Sequence, residues 1–185
     1  MLRRGRRPIG RVWSPLEPNA RQELMRANRL MEIGDFKNAA ALYEKLAHMV
    51  QNLGRVRQAA HLYVQAARAR LLGGQVQPVE DLLKQGLSIF AQAGFWGPFE
   101  RVGNRAVGEL QQHNQPQIAD DLTKWMQGLL KSRPVNAAPE GKISSPRSLP
   151  LKCPSCGANI KPNDVDWIDE QRAECNYCGS ILAAE

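Results

Sequence analysis

The sequence predicts a mainly α protein: about six antiparallel helices arranged as helical hairpins, then a connector and a small β module. Three observations carry this prediction. Apolar residues recur at helical spacing from about residue 20 to residue 131. Clusters of Gly, Asn and Pro fall between the apolar stripes. All four cysteines lie in the last 35 residues, as two C-x-x-C pairs.

The first element is a basic arm, residues 1–17. Arg3, Arg4, Arg6, Arg7 and Arg11 give residues 1–15 a charge of +5, out of +7 for the whole chain. Such an arm can neutralise the phosphates of nucleic acid or of an anionic membrane. A solvated, disordered tail is the plainer reading. The charge suits a signal peptide, but no apolar segment or small-residue cleavage site follows it. Secretion is therefore not expected, and the expected location is the cytoplasm. The apolar runs are also too short to span a bilayer.

Residues 18–131 read as six helices of about four turns each. The leading helix carries Leu24, Ala27, Leu30 and Met31. The second stripe is Phe36, Ala39/Ala40, Tyr43, Leu46/Ala47 and Val50; the third is Val56, Ala59/Ala60, Tyr63, Ala66/Ala67 and Leu71. Val79, Leu82/Leu83, Leu87 and Phe90 form the fourth, and Phe99, Val102, Ala106 and Leu110 the fifth. Ile118, Leu122, Trp125/Met126 and Leu129 complete the set. Gly34, Gly54, Gly73-Gly74, Gly94 and Asn114 sit where helices should end, and Pro78, Pro98 and Pro116 where the next should begin. Turns this short make successive helices antiparallel neighbours.

Two of these units echo each other. Gly34, Ala39, Ala40, Leu42 and Tyr43 are answered by Gly54, Ala59, Ala60, Leu62 and Tyr63. Gly34-Asp35-Phe36, Ala39 and Tyr43 resemble the turn and second helix of the tetratricopeptide-repeat family, and the later segments match it in part. The twenty-residue offset differs from the roughly 34-residue repeat of that family. The resemblance implies a concave or grooved platform for a protein or peptide partner and no small-molecule substrate. In family members that hold a C-terminal carboxylate, Lys and Asn line successive first helices. Here Asn28 is the only suggestive residue on the first helix, so that clamp is not expected.

Residues 132–150 contain Pro134, Pro139, Pro146 and Pro150 and show no periodicity. They read as a flexible linker that lets the C-terminal module swing, unless Ile143 or Leu149 docks.

Residues 151–185 carry the strongest chemical signal. Cys153-Pro-Ser-Cys156-Gly157 and Cys175-Asn-Tyr-Cys178-Gly179 have metal-knuckle spacing. Each C-x-x-C-G turn brings two thiolates to one point, and Gly allows the backbone angle the turn needs. Val165 to Ile168 and Arg172 to Cys175 are the candidate strands of a hairpin between the knuckles. The module resembles a zinc ribbon over residues 151–182. Cys153, Cys156, Cys175 and Cys178 would then hold one structural Zn²⁺, with no position left for water. Rubredoxin-type iron uses the same ligands. Disulfides would need an oxidising compartment, and a thioredoxin-like redox pair would need a βαβ unit. With so small a core, metal binding and folding of the module should be one event.

The module itself is acidic, at −3, with Asp164, Asp166, Asp169, Glu170 and Glu174 around the hairpin. Four thiolates with Zn²⁺ add a further −2, so a phosphate backbone should be repelled there. Trp167 is expected to cover the hairpin rather than to stack on a base. No signal points to catalysis. His48, His61 and His113 lie on predicted helices without a nucleophile motif nearby, and the acid pairs Glu80-Asp81 and Asp120-Asp121 sit near predicted helix starts. The expected protein is thus a non-enzymatic interaction adaptor. The alternative is a nucleic-acid-associated protein that binds through the arm, with the ribbon as accessory.

Overall fold

The computed structural model describes residues 16–134, 148–161, 165–167 and 171–184. The five arginines of the arm and Ile143 lie outside the described residues. Six helices follow in order: α1 (Pro18–Glu32), α2 (Phe36–Asn52), α3 (Val56–Leu72), α4 (Val79–Gln92), α5 (Trp96–Gln112) and α6 (Pro116–Lys131). None of them is long and apolar enough to cross a membrane. Three short strands, β1 (Asp166–Trp167), β2 (Arg172–Glu174) and β3 (Ile181–Ala183), form one antiparallel sheet in the order β1-β2-β3. The hairpin expected from sequence is thus joined by a third strand after the second knuckle.

The helical part is built on a twenty-residue period. Gly34, Gly54, Gly74 and Gly94 have φ between 71° and 81°, and Asn114 has φ 56°. At each of these turns the next residue's N–H reaches back to a carbonyl in the last helical turn. Asp35 donates to Leu30, Arg55 to Val50, Gln75 to Arg70, Phe95 to Phe90 and Gln115 to Leu110, all at 2.8–2.9 Å. This is the Schellman closure, in which a left-handed residue lets otherwise orphaned helix carbonyls find donors. The core keeps the same beat: Ala39, Ala59, Val79, Phe99 and Ala119 are each at most 1% exposed.

Each helix packs against its neighbour in sequence, while α3 also touches α5 and α4 touches α6. Small residues set the spacing. At Gly86 of α4 a Cβ would come within 2.8 Å of the Ala60 carbonyl oxygen, so α4 lies almost directly on the α3 backbone. Tyr43, Tyr63, Phe90 and Phe99 are the largest fully buried side chains. The two tyrosines repeat a contact fifteen positions back: Tyr43 O–H donates to Asn28 Oδ1 at 2.6 Å, and the Tyr63 hydroxyl lies 2.8 Å from His48 Nδ1. Arg70 pairs with Glu44 at 2.7 Å and Arg133 with Glu100 at 3.3 Å, fastening α3 to α2 and the chain after α6 to α5.

The acid pairs divide. Glu80 and Asp81 occupy the first turn of α4, where they complement the helix dipole. Asp120 and Asp121 lie beyond the first turn of α6, and Asp121 instead meets Gln117 and Lys124 on the helix surface.

The C-terminal module does not stand apart. Its buried residues and those of the helices form one continuous cluster, which includes Leu16 and Leu149. Leu149, which sequence offered as a possible docking residue, is 9% exposed and belongs to this cluster. Leu16, read from sequence as part of the arm, is 2% exposed and belongs to this mount.

Candidate metal centre and adjoining groove

The two knuckles have the same backbone plan. In the first, Cys153 N–H donates to Ala158 O and Gly157 N–H to Cys153 O, both at 2.8 Å. In the second, Cys175 N–H donates to Ser180 O at 2.9 Å and Gly179 N–H to Cys175 O at 2.8 Å. Gly157 (φ 74°) and Gly179 (φ 73°) occupy the left-handed conformation that closes each turn. The strand pairing of Glu174 with Ile181 then carries the second knuckle between β2 and β3.

These turns bring together the four residues that the spacing singles out. The sulfurs of Cys153, Cys156, Cys175 and Cys178 all lie within 4.8 Å of one another, and all four residues are buried. Cys153 Sγ is 3.7 Å from Cys178 Sγ, and Cys156 Sγ is 3.8 Å from Cys175 Sγ. A tetrahedron with metal–sulfur bonds of about 2.3 Å has edges of about 3.8 Å. The donor set therefore fits a four-coordinate, thiophilic cation. Thiols donating to Cys153 hold it down, to about 7, and thiols donating to Cys178 hold it low as well; Cys156 and Cys175 are pushed up by the same contacts. The Ser180 hydroxyl oxygen lies 3.3 Å from Cys178 Sγ.

The module is seated on α1 and α3 through both knuckles. Asn28 Nδ2 donates to Cys156 O at 2.7 Å, and Leu16 N–H donates to Cys178 O at 3.0 Å. Gln65 Nε2 donates to the Tyr177 hydroxyl at 3.0 Å, and Lys152 pairs with Glu32. Asn28, which sequence offered only as a faint trace of a carboxylate clamp, is instead the joint between helix and knuckle. The Tyr43 hydroxyl that orients it is kept protonated by burial, which pushes the phenol up. Trp167 is partly buried and packs against the core cluster. Glu174 is only 3% exposed, so it is withdrawn from the acidic surface assigned to the hairpin. Asp164, Asp169 and Glu170 fall outside the described residues.

Between the module and the helices lies a groove of about 430 Å³. Residues of α1, α3 and α5 dominate its lining: Asn28, Met31 and Glu32, then Val64 and Arg68, then Val102, Arg105 and Glu109. Gly157, Ala158, Lys161 and Tyr177 of the C-terminal module form the facing wall. Its lining mixes apolar side chains with both signs of charge, and two of the lining residues, Arg68 and Glu109, pair at 3.4 Å.

The buried end of this groove holds His61. Its ring stands edge-on to Phe90 at 4.9 Å and lies 5.9 Å from Tyr177, and Nε2 is buried without a hydrogen-bond partner. Burial first, then the guanidiniums of Arg57, Arg101 and Arg105, push the imidazole from 6.5 down to about 3. The unfolded chain therefore binds a proton that the folded chain refuses between about pH 6.5 and pH 3. The stabilisation from neutral His61 is complete above pH 6.5 and is lost as the pH falls through that window. His61→Leu should flatten this acid limb. Urea denaturation at pH 7 and pH 5 tests it, since the thiol centre is common to both proteins; an unchanged difference between the two pH values would refute the assignment.

The chain matches no family model, no curated protein and no solved structure.

Proposed function

We propose that the protein is a cytoplasmic, non-enzymatic adaptor. Its helices act as a tetratricopeptide-like platform, and its C-terminal zinc ribbon is a structural module held by one Zn²⁺ on Cys153, Cys156, Cys175 and Cys178. The observation that carries this reading is the groove of about 430 Å³ whose walls come from α1, α3, α5 and the ribbon together. A groove walled by two parts of the chain and lined by apolar side chains together with both signs of charge suits a short stretch of polypeptide. Four thiolates close a tetrahedron and leave no open coordination position, which supports a structural ion rather than a catalytic one.

Affinity capture from nuclease-treated and untreated lysates tests the reading. A protein partner should be retained after nuclease treatment and after deletion of residues 1–12. Val102→Glu, which places a charge in the groove lining, should abolish that capture while leaving helical content unchanged. Retention that disappears with nuclease, falls steeply with salt and requires Arg3, Arg4, Arg6, Arg7 and Arg11 would instead establish the arm as a nucleic-acid-binding element. Liposome co-sedimentation would reveal an anionic membrane as the arm's partner. Elemental analysis separates zinc from iron at the four cysteines.

A further inference from the structure

We propose that Asn28 and Gln65 are positioning residues for the metal centre, and that through them the ion holds the ribbon in place as one wall of the groove. This rests on the metal-bound reading above and concerns the regulation of the same groove.

The argument begins with the knuckle carbonyls. In each pair the carbonyl of the first cysteine is satisfied within the knuckle, by Gly157 N–H on Cys153 O and by Gly179 N–H on Cys175 O. The carbonyl of the second cysteine accepts from outside the module: Cys156 O from Asn28 Nδ2 on α1, and Cys178 O from Leu16 N–H just before α1. Helix α1 and the segment leading into it thus contribute one hydrogen bond each to the second cysteine of a knuckle. Gln65 on α3 adds a third hold at the Tyr177 hydroxyl, between Cys175 and Cys178.

Asn28 is itself fixed. Cys156 O can only accept, so Nδ2 must face it; Oδ1 then faces Tyr43, whose hydroxyl donates at 2.6 Å. A buried phenol on α2 therefore sets the carboxamide that sets the knuckle. An outer partner that orients a ligand residue typically changes metal affinity when removed. The reverse linkage follows from reciprocity. An ion on four sulfurs locks the two knuckles to each other. Each knuckle is separately tied to the array, so the locked pair holds Gly157, Ala158 and Tyr177 against the groove. Releasing the ion frees the knuckles from one another and loosens that wall.

Zinc-loaded full-length protein titrated with a competing chelator tests the proposal. Asn28→Ala should weaken zinc binding about tenfold or more, and Gln65→Ala about fivefold. Asn28→Asp keeps the size and the acceptor for Tyr43 but lacks the donor, so it should behave like the Ala variant. Full affinity in the Asp variant would overturn the hydrogen-bond assignment. In the wild-type protein, chelation should raise amide exchange in α1 and α3 with little change in α5 and α6. If zinc binds and all three variants hold it as tightly as wild type with helical content retained, the proposal is overturned while the metal reading stands. Exchange in α1 and α3 that ignores the chelator would overturn it in the same way. Absence of bound metal from the wild-type protein would overturn both.

Discussion

Replacing Cys153 and Cys175 together with Ser should abolish metal binding and unfold the C-terminal module, yet leave the six helices assembled. One ligand is removed from each knuckle, and a serine hydroxyl does not ionise to replace a thiolate. Two remaining sulfurs cannot close the tetrahedron whose 3.7 and 3.8 Å edges the four cysteines now make. The apparent free energy of a structural zinc site is about 10–16 kcal/mol in small peptides, larger than anything a three-stranded sheet of two- and three-residue strands could supply. The helices have their own core in Tyr43, Tyr63, Phe90 and Phe99, none of which lies in the module. Circular dichroism should therefore keep its helical signal while metal content falls to zero. A modest drop in melting temperature is expected, because α1 and α3 lose the contacts of Asn28 and Gln65 with the knuckles. Helical signal that collapses in step with metal loss would show that array and ribbon fold as a single unit.

The helices were legible because local chemistry repeats in register with them. Gly34, Gly54, Gly74, Gly94 and Asn114 stand twenty residues apart, and each marks a left-handed turn that few other residue types accept. The four-cysteine cluster was legible for a similar reason, since C-x-x-C-G fixes two sulfurs within a single turn. The seat of the ribbon was not. It depends on pairs such as Asn28 with Cys156 and Gln65 with Tyr177, separated by 128 and 112 residues, and no local pattern encodes them. Tyr177 occupies one of the two positions between the cysteines of a C-x-x-C pair, where sequence alone gives no reason to expect a docking group. Strand β3 escaped notice because Ile181-Leu182-Ala183 is too short to show alternation and becomes a strand only by pairing with β2. The apparent independence of the C-terminal module came from a Pro-rich connector, yet Leu16 and Leu149 at its two chain entries are buried, and Leu16 N–H donates to Cys178 O.

Gly86→Val should be among the most damaging single changes in the helical array. A Cβ at this position would lie 2.8 Å from the Ala60 carbonyl oxygen, 3.1 Å from Val64 Cγ2 and 3.2 Å from Tyr63 Cβ. The nearest of these atoms is backbone, so relief requires α4 to move away from α3 rather than a side chain to turn aside. Glycine inside a helix normally costs about 1 kcal/mol relative to Ala, so Gly86→Ala gains that much in propensity and loses it again in the clash. Valine adds two methyl groups to the same contact, and overpacking of this kind costs about 1–3 kcal/mol or more. The expected fall in melting temperature is about 10 °C. Two other helical glycines supply the controls. At Gly108 nothing lies within 4 Å of an added Cβ, so Gly108→Ala should stabilise by about 1 kcal/mol. At Gly103 an added Cβ meets the Met126 side chain, with Sδ at 2.6 Å, and that flexible thioether can swing aside at smaller cost. Thermal melts should therefore rank Gly108→Ala above wild type, Gly103→Ala near it and Gly86→Val well below. If Gly86→Val melted with wild type, the close contact of α3 and α4 would not exist in solution. The packing order of the groove-lining helices would then have to be redrawn from that point outward.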